Sequence, residues 1–245
     1  MKLYDIRVLI LSRGRSDCVT TVDLFPEYIE MLVPESEKEL YEEKYSNPIL
    51  TIPDSMVGLG AVRNWVLDNF QEDIVIMIDD DVQHIYRLTG TNAKQVKDKD
   101  EVMQIVINTA VMAKDAGLHC FGYSQTDIRK YNACEPFKLT GWVGCLIGVI
   151  GRKYRFRDDK YKVDIDYCLK NMLVDRILWI DSRYYFAQNR DNNKGGNSMF
   201  RTQEEFEKSV DSLVEKWSPW LKKSNRHSSQ INLQTNVKRK QVLKL

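Results

Sequence analysis

One short segment, residues 74–82, constrains the fold of this chain more than any other. Its first five residues are apolar and four of them are Ile or Val, a composition typical of a strand buried in a parallel sheet. Three consecutive aspartates, Asp79, Asp80 and Asp81, follow the apolar run. A buried strand gains no stability from adjacent like charges, whereas α/β sheets bind ligands at the carboxyl ends of their strands. The segment therefore predicts an α/β fold with an acidic site at that edge of its sheet.

The spacing of these aspartates indicates what the site holds. Asp79 and Asp81 are two residues apart, so in an extended chain their carboxylates point the same way. Two carboxylates on one side form a hard oxygen site suited to Mg²⁺ or Mn²⁺ bridging a diphosphate. The alternative is a strand that ends in an acidic, solvated turn.

Length and composition favour a single soluble domain. With 245 residues, 43% of them apolar, the chain can bury a substantial core, with or without an appendage. The five cysteines show no zinc-ligand spacing and suit a reducing compartment. The first residues do not resemble a signal peptide, and no apolar run approaches the ~20 residues that span a bilayer. We therefore expect a cytoplasmic protein without a membrane segment.

The charge is distributed unevenly along the chain. Residues 218–245 carry seven Lys or Arg and no acid, so with a net charge of +1 overall, residues 1–217 sum to −6. A basic tail on an acidic body would steer the protein towards a polyanion, although a frayed, solvated terminus has the same composition. We divide the chain into an α/β domain, residues 1–220, and a basic C-terminal extension, residues 221–245.

Apolar periodicity predicts alternating strands and helices. Strands are predicted at residues 6–11, 28–33, 48–53, 74–78, 119–123, 141–151 and 177–180, and helices at residues 35–45, 56–70, 101–117, 161–173 and 202–220. This alternation predicts one α/β, Rossmann-like domain with a central, mostly parallel sheet. The glycines of residues 141–151 either floor a binding cleft or allow tight packing in the core.

Three arginines lie where an α/β fold meets phosphate groups. Arg13 and Arg15 belong to the polar turn after the first strand, which is neither a GxGxxG motif nor a P-loop. Arg63 lies near the start of a glycine-led helix, where backbone N–H groups also suit an anion. These guanidinium groups would clamp a diphosphate or stack on a base, and the alternative for the turn is a basic surface loop.

Two further acids, Asp164 and Asp166, open the helix predicted at residues 161–173. Aspartate at a helix start commonly serves as a cap. Since one cap suffices, the second acid is left for a catalytic role.

This ordered set of motifs resembles the GT-A glycosyltransferases, whose α/β fold binds a nucleotide sugar. The resemblance covers about residues 5–200 and rests on four features in order. They are an arginine-bearing turn after the first strand, a glycine-led helix with Arg63 and Asn64, a strand that ends in a DxD motif, and a glycine-containing strand followed by acids at a helix start. Within this superfamily, the Arg-Asn-Trp sequence, the triple aspartate and the late Gly195-Gly196 pair resemble the TET/JBP-associated glycosyltransferases. These are small, soluble enzymes thought to glycosylate hydroxymethylated pyrimidines in DNA, in bacteriophages and in the base J pathway.

The resemblance implies roles for individual residues. Asp79 and Asp81 would hold Mn²⁺ or Mg²⁺, which bridges the donor phosphates and stabilises the leaving group. The donor, guessed from the family to be UDP-glucose, would be bound by Asp79 and by Arg13, Arg15, Arg63, Asn64, Gly195 and Gly196. In an inverting transfer Asp166, or as second choice Asp164, would deprotonate the acceptor hydroxyl.

One departure from the superfamily concerns the third metal ligand. Many GT-A enzymes supply a late histidine, but the late histidine of this chain, His227, lies in the basic tail. Gln188, Asn189 and Asp191 are the substitutes that the sequence offers.

A DNA acceptor demands cations for phosphates and flat surfaces for bases. The stretch at residues 152–157 alternates basic and aromatic residues, namely Arg152, Lys153, Tyr154, Arg155, Phe156 and Arg157, and the tail adds further cations. The alternative is an ordinary basic hairpin.

Other functions were weighed against this one. A haloacid-dehalogenase phosphatase also uses a DxD strand but requires Thr or Val where Gln83 stands. A sugar nucleotidyltransferase requires a longer glycine-rich loop after the first strand. A transferase acting on a protein or glycan, and a degenerate transferase that only binds nucleic acid, stay open. The sugar, the nucleotide, the anomeric outcome and the oligomeric state are not encoded in any motif of the chain.

Overall fold

The computed structural model describes residues 5–89, 92–124, 135–188, 202–224 and 232–237. Within these ranges the chain forms strands at Ile6–Leu11 (β1), Glu30–Pro34 (β2), Ile49–Ile52 (β3), Ile74–Asp79 (β4), Val82–Thr89 (β5), Asn92–Val96 (β6), Cys120–Ser124 (β7), Phe137–Lys138 (β8), Leu146–Ile150 (β9), Trp179–Gln188 (β10), Leu221–Ser224 (β11) and Asn232–Thr235 (β12). The helices span Lys38–Glu42 (α1), Leu59–Asn69 (α2), Lys99–Asp115 (α3), Val163–Lys170 (α4) and Gln203–Trp217 (α5). No helix of these ranges has the length and apolar character needed to cross a bilayer.

A single large sheet organises the molecule. Its ten strands follow the order β3-β2-β1-β4-β9-β7-β10-β5-β6, with β8 paired to β10. The strands β3, β2, β1 and β4 are parallel neighbours, and β7, β10 and β6 run in the same direction. The expected α/β domain with a mostly parallel sheet is therefore confirmed, and β4 carries the three aspartates at the carboxyl end of the parallel half.

Two hydrophobic cores lie on opposite sides of this sheet. Successive residues of a strand face opposite sides, so Ile76 and Ile78 enter one core with α1 and α3, whereas Val75 and Met77 enter the other with α2, α4 and α5. Asp79 continues the alternation of Val75 and Met77. Its carboxylate therefore faces the side of the sheet on which α2 packs.

Most predicted elements are present, with shifted ends. The strand at residues 6–11 matches β1 in full, and the capping pattern before α5 is real, because the Thr202 hydroxyl accepts a hydrogen bond from Glu205 N at 3.2 Å. The hairpin β5–β6 is absent from the predicted elements. Of the stretch at residues 141–151, only Leu146–Ile150 is strand.

Gly148 of that stretch serves core packing. A Cβ placed on Gly148 would lie 2.0 Å from the ring of Phe121 on the neighbouring strand. The hypothesis that this strand floors a binding cleft is therefore wrong, because the missing side chain makes room for a core ring.

The start of the expected extension is folded onto the domain. Strands β11 and β12 pair as a hairpin. Leu221 is buried in the core that contains α2, α4 and α5, and Leu233 packs against that core. The described part of residues 221–245 thus continues the domain beyond residue 220.

Candidate functional site

The two outer aspartates of the triple converge on one point. The side-chain amide nitrogen Nε2 of Gln188 donates to Asp79 Oδ2 at 3.0 Å and to Asp81 Oδ1 at 2.7 Å. The amide reaches them because β10 ends at Gln188, next to the point where the chain leaves β4. The prediction that Asp79 and Asp81 point the same way agrees with this geometry.

This donor set fits a divalent cation bound together with a phosphate ligand. A single NH₂ group that lies within hydrogen-bond distance of both carboxylate oxygens marks a position where an electropositive atom contacts both. Mg²⁺ is commonly held by one or two carboxylates and completes its shell with water and substrate phosphate oxygens. In the described ranges no cluster of three or more His, Cys, Asp or Glu exists that would form an all-protein metal cage.

The middle aspartate has a different task. Asp80 is 4% exposed, and its carboxylate accepts hydrogen bonds from Ser12 Oγ at 2.6 Å and from Arg15 Nη1 at 2.5 Å. Its backbone carbonyl accepts hydrogen bonds from the N–H groups of Thr20 and Thr21. Asp80 therefore fastens the turn after β1 to the end of β4.

A buried tyrosine completes that attachment. The hydroxyl of Tyr41, on α1, lies 2.7 Å from Ser12 Oγ and accepts a hydrogen bond from Arg15 N at 3.2 Å. Burial raises the pKa of Tyr41 to about 12, so the hydroxyl stays protonated. No spacing in the sequence links Tyr41 to the aspartates, because the contact forms only when α1 packs under the turn.

Burial and neighbouring charge act in opposite directions on Asp79. The net pKa of Asp79 is raised to about 7: burial is the largest cause and the carboxylates of Asp81 and Asp80 also raise it, whereas the guanidinium of Arg63 and the hydrogen bond from Gln188 lower it. Arg63 Nη2 lies 3.6 Å from Asp79 Oδ1. A second positive charge beside Asp79 would favour its ionised form, as a bound cation requires.

The predicted donor-binding arginines differ in accessibility. Arg63 is 1% exposed and lies over the ring of Phe156 with 5.4 Å to the ring centre. Its Nε and Nη1 have no hydrogen-bond partner among the residues that the structure describes. Direct contact between Arg63 and a bound diphosphate is therefore at odds with the structure, and its charge acts through Asp79. Arg13 donates to the carbonyls of Asp54 and Met56, whereas Arg15 lies against Asp80 and 3.5 Å from Asp81.

Asn64 is used inside the fold. Its Nδ2 donates to Phe156 O at 3.0 Å and its Oδ1 accepts from Phe156 N at 2.9 Å, so the amide holds one backbone unit with both of its ends. The glycine-led start of α2 is also occupied, because Gly60 N donates to Asp159 O at 3.2 Å. The expectation that Asn64 and this helix start bind the donor is therefore corrected.

Asp166, the first choice for the catalytic base, is a structural residue. It is 0% exposed and accepts hydrogen bonds from Lys216 Nζ at 2.6 Å and Trp217 Nε1 at 2.8 Å, with Lys170 Nζ at 2.9 Å. Burial would raise its pKa, but the bonds from Lys216, Lys170 and Trp217 outweigh burial and lower it. A buried carboxylate with a lowered pKa is a poor base. Asp164, partly exposed in the first turn of α4, is the acid that remains.

The basic stretch at residues 152–157 is neutralised within the protein. Arg152 donates to the carbonyls of Leu67, Phe70 and Glu72 at the end of α2 and just beyond it. The other cations form the ion pairs Lys153–Asp175, Arg155–Asp68 and Arg157–Asp159. One of the two aromatic rings is buried, because Phe156 is 3% exposed. The cations of this stretch are thus paired within the protein, which disfavours its interpretation as a DNA surface; that interpretation stays a prediction.

The remaining predicted residues lie outside the described ranges. They are Gly195, Gly196, Asn189, Asp191 and His227. The roles assigned to them stay predictions.

The fold is that of the GT-A glycosyltransferases. The structure resembles glucosyl-3-phosphoglycerate synthase from Mycobacterium tuberculosis, solved in complex with Mn²⁺, UDP and glucosyl-3-phosphoglycerate, with a TM-score of 0.53 and 10% sequence identity over 96% of this chain and 88% of that one. A second structure of that synthase, with Mn²⁺, UDP-glucose and phosphoglyceric acid, gives a TM-score of 0.52 and 10% identity over 95% and 87% of the two chains. At this identity the likeness concerns the fold.

Sequence comparison narrows the class to a family. The family model of the TET-associated glycosyltransferases matches residues 6–196, and the chain belongs to this family. It is also 34% identical over 80 residues to the beta-glucosyl-HMC-alpha-glucosyl-transferase of Enterobacteria phage T6, which amounts to 31% of this chain and 29% of that protein.

Proposed function

We propose that this glycosyltransferase transfers a sugar from a UDP-linked donor to a hydroxymethylated pyrimidine in DNA and that it requires a divalent metal. The proposed acceptor rests on the similarity to the T6 enzyme, whose name specifies a glucosylated hydroxymethylcytosine. The UDP donor and the metal are supported by the complexes of the M. tuberculosis synthase and by the converging carboxylates of Asp79 and Asp81.

In this proposal Asp79, Asp81 and Gln188 hold the metal. When bound, the metal would neutralise the negative charge that develops on the diphosphate leaving group. Asp79 would supply Oδ2 and Asp81 would supply Oδ1, because these two oxygens face the same amide. An amide NH₂ group offers no lone pair to a metal ion, so Gln188 would have to present its carbonyl oxygen Oε1 in place of Nε2, and oxygen is the donor that Mg²⁺ and Mn²⁺ prefer.

That exchange requires only a rotation of the Gln188 amide. The two ends of a glutamine amide have nearly the same shape, and which end faces a neighbour follows from the hydrogen bonds on offer. Two carboxylates select the NH₂ end, whereas a cation between them would select Oε1. Gln188 would thus supply the third protein ligand, the position for which the sequence offered no nearby histidine.

The remaining residues position the reactants. Arg15 contributes positive charge next to Asp81, which favours a diphosphate at this edge of the sheet. Asp164 would take the proton from the acceptor hydroxyl in an inverting transfer, and its partial exposure is compatible with that contact. Arg63 balances the charge of Asp79, and Asp80 fastens the turn that carries Arg15.

A transfer assay tests the proposal. The protein is incubated with Mn²⁺, a panel of UDP-sugars and duplex DNA that contains 5-hydroxymethylcytosine, 5-hydroxymethyluracil or β-glucosylated hydroxymethylcytosine. Nucleoside mass spectrometry reads the product, and Asp81→Ala is the negative control. A sugar mass on one modified base, lost with chelator and in Asp81→Ala, is the expected result. Metal-dependent release of UDP from one donor without any mass shift on DNA would contradict the DNA acceptor and direct the search to proteins and glycans.

A further inference from the structure

Two partly exposed tyrosines and an exposed histidine lie side by side on β5 and β10. Tyr86 and Tyr185 are directly opposite each other on these paired strands, and their rings are parallel within 17° with centres 5.9 Å apart. His84 is exposed and lies edge-on to Tyr86 at 6.0 Å, held by a 3.1 Å hydrogen bond between its Nδ1 and Gln95 Nε2. We call Tyr86, Tyr185 and His84 the aromatic platform.

The platform lies on the same side of the sheet as the metal carboxylates. Ile85 and Phe186 are buried in the core that contains α1 and α3. Their neighbours Tyr86 and Tyr185 therefore face the opposite side of the sheet. Asp79 faces that side too, because it continues the alternation of Val75 and Met77. In the part of the chain that the structure describes, the core on this side takes no residue from β5 or β6.

The platform is also continuous with the metal carboxylates along the chain. Tyr185 precedes Gln188 by three residues on β10, a distance of roughly 10 Å in extended backbone, and His84 follows Asp81 by three residues on β5. Strand β10 therefore ends, and strand β5 begins, at the site where the donor is proposed to bind.

We infer that the aromatic platform is the acceptor subsite, on which the target pyrimidine stacks after it leaves the duplex. This inference rests on the proposed function. Parallel tyrosine rings, partly exposed beside a reactive site, are the surface that an unstacked base prefers. A base inside a duplex cannot reach such a surface, so the target nucleotide must flip out, as it does in other enzymes that modify bases. The imidazole of His84 and the amide of Gln95 offer hydrogen-bonding groups at its rim.

Equilibrium DNA binding tests the inference. Fluorescence anisotropy compares a duplex that carries one 5-hydroxymethylcytosine with the same duplex carrying an abasic site at that position. Tyr86→Ala and Tyr185→Ala are expected to weaken binding of the first duplex by about 5- to 150-fold, the range for one lost base–aromatic stack. On the abasic duplex the same substitutions are expected to change binding less than twofold, because the partner of the ring is already missing.

Two further variants separate stacking from folding. Tyr86→Phe keeps the ring and is expected to bind as the unsubstituted protein does, and Tyr28→Ala removes a tyrosine that is 62% exposed elsewhere and serves as the matched control. Equal losses of binding affinity on both duplexes, or no loss on either, would rule out the aromatic platform as the acceptor subsite. Transfer by the unsubstituted protein would be unaffected by that result. If the unsubstituted protein neither binds nor glycosylates any hydroxymethylated DNA, the proposed function falls, and the platform falls with it.

Discussion

The hydroxyl of Ser12 donates a 2.6 Å hydrogen bond to Asp80, and both side chains are buried where the turn after β1 meets the end of β4. Three adjacent residues of one type therefore have two tasks. Asp80 is buried and fastens the turn after β1, whereas Asp79 and Asp81 meet at Gln188.

Replacing the middle aspartate should reduce stability. Asp80→Ala leaves the guanidinium of Arg15 without its nearest carboxylate and removes the acceptor of the Ser12 hydroxyl. Breaking one side of a buried ion pair costs about 3–5 kcal/mol, so urea unfolding should show a loss of that size. The matched control is Asp81→Ala, which should retain most of its stability and lose Mn²⁺ binding in calorimetry. The reverse pattern would show that the tasks of the two aspartates have been interchanged.

The Gln188 ligand predicts how metal affinity responds to substitution. Gln188→Ala removes Oε1 and should weaken Mn²⁺ binding in the presence of UDP by at least about tenfold, as loss of a ligand or its close support does. Gln188→His should recover much of the affinity, because imidazole also binds Mn²⁺. Electron paramagnetic resonance of bound Mn²⁺ reports the change without reference to turnover. An unchanged affinity in Gln188→Ala would remove Gln188 from the metal shell.

The network around Asp166 predicts a pH-dependent contribution to stability. Asp166→Asn should lower the free energy of unfolding at neutral pH by about 1.5–3 kcal/mol, because charge-assisted hydrogen bonds from Lys216 and Lys170 are lost. Since the folded pKa of Asp166 is lowered from 3.8, this contribution is complete above that value and disappears as the pH falls through the folded pKa.

Urea midpoints of the unsubstituted protein and Asp166→Asn should therefore differ at pH 7 and approach each other in strong acid. Lys216→Ala is a useful companion, because it removes one of the same bonds from the exposed side. A constant difference across this range would mean that the network does not depend on the charge of Asp166.

The fold and the convergence of Asp79 and Asp81 were predictable because they rest on local patterns. A run of apolar residues that ends in Asp-x-Asp indicates that β4 is buried and that the two outer carboxylates point the same way. The alternation of side chains along the strand then indicates which side of the sheet each residue faces. The same holds for the cap of α5, where Thr202 and Glu205 are three residues apart.

The errors arise where a side chain finds its partner across the fold. Nothing near Asp166 in the sequence indicates that Lys216 and Trp217 on α5 will cover it. Likewise, Arg152 looked like a surface cation but caps the carbonyls at the end of α2, more than 80 residues earlier. Charge is read easily from a sequence, whereas compensation of that charge depends on packing.

The choice between the two acids of α4 has a kinetic test. With Asp166 committed to α5, Asp164→Asn is expected to lower kcat by about 10²–10⁴-fold in an inverting transfer, the usual contribution of a general base, while the Kd for UDP and Mn²⁺ stays unchanged. The substitution is nearly isosteric and the residue is partly exposed, so stability should change by less than about 0.5 kcal/mol. Turnover is measured with saturating donor and hydroxymethylated DNA, and Asp166→Asn, corrected for its folded fraction, serves as the control. Full turnover in Asp164→Asn together with a loss in Asp166→Asn would return the base to Asp166, and full turnover in both would indicate a transfer that needs no carboxylate from α4.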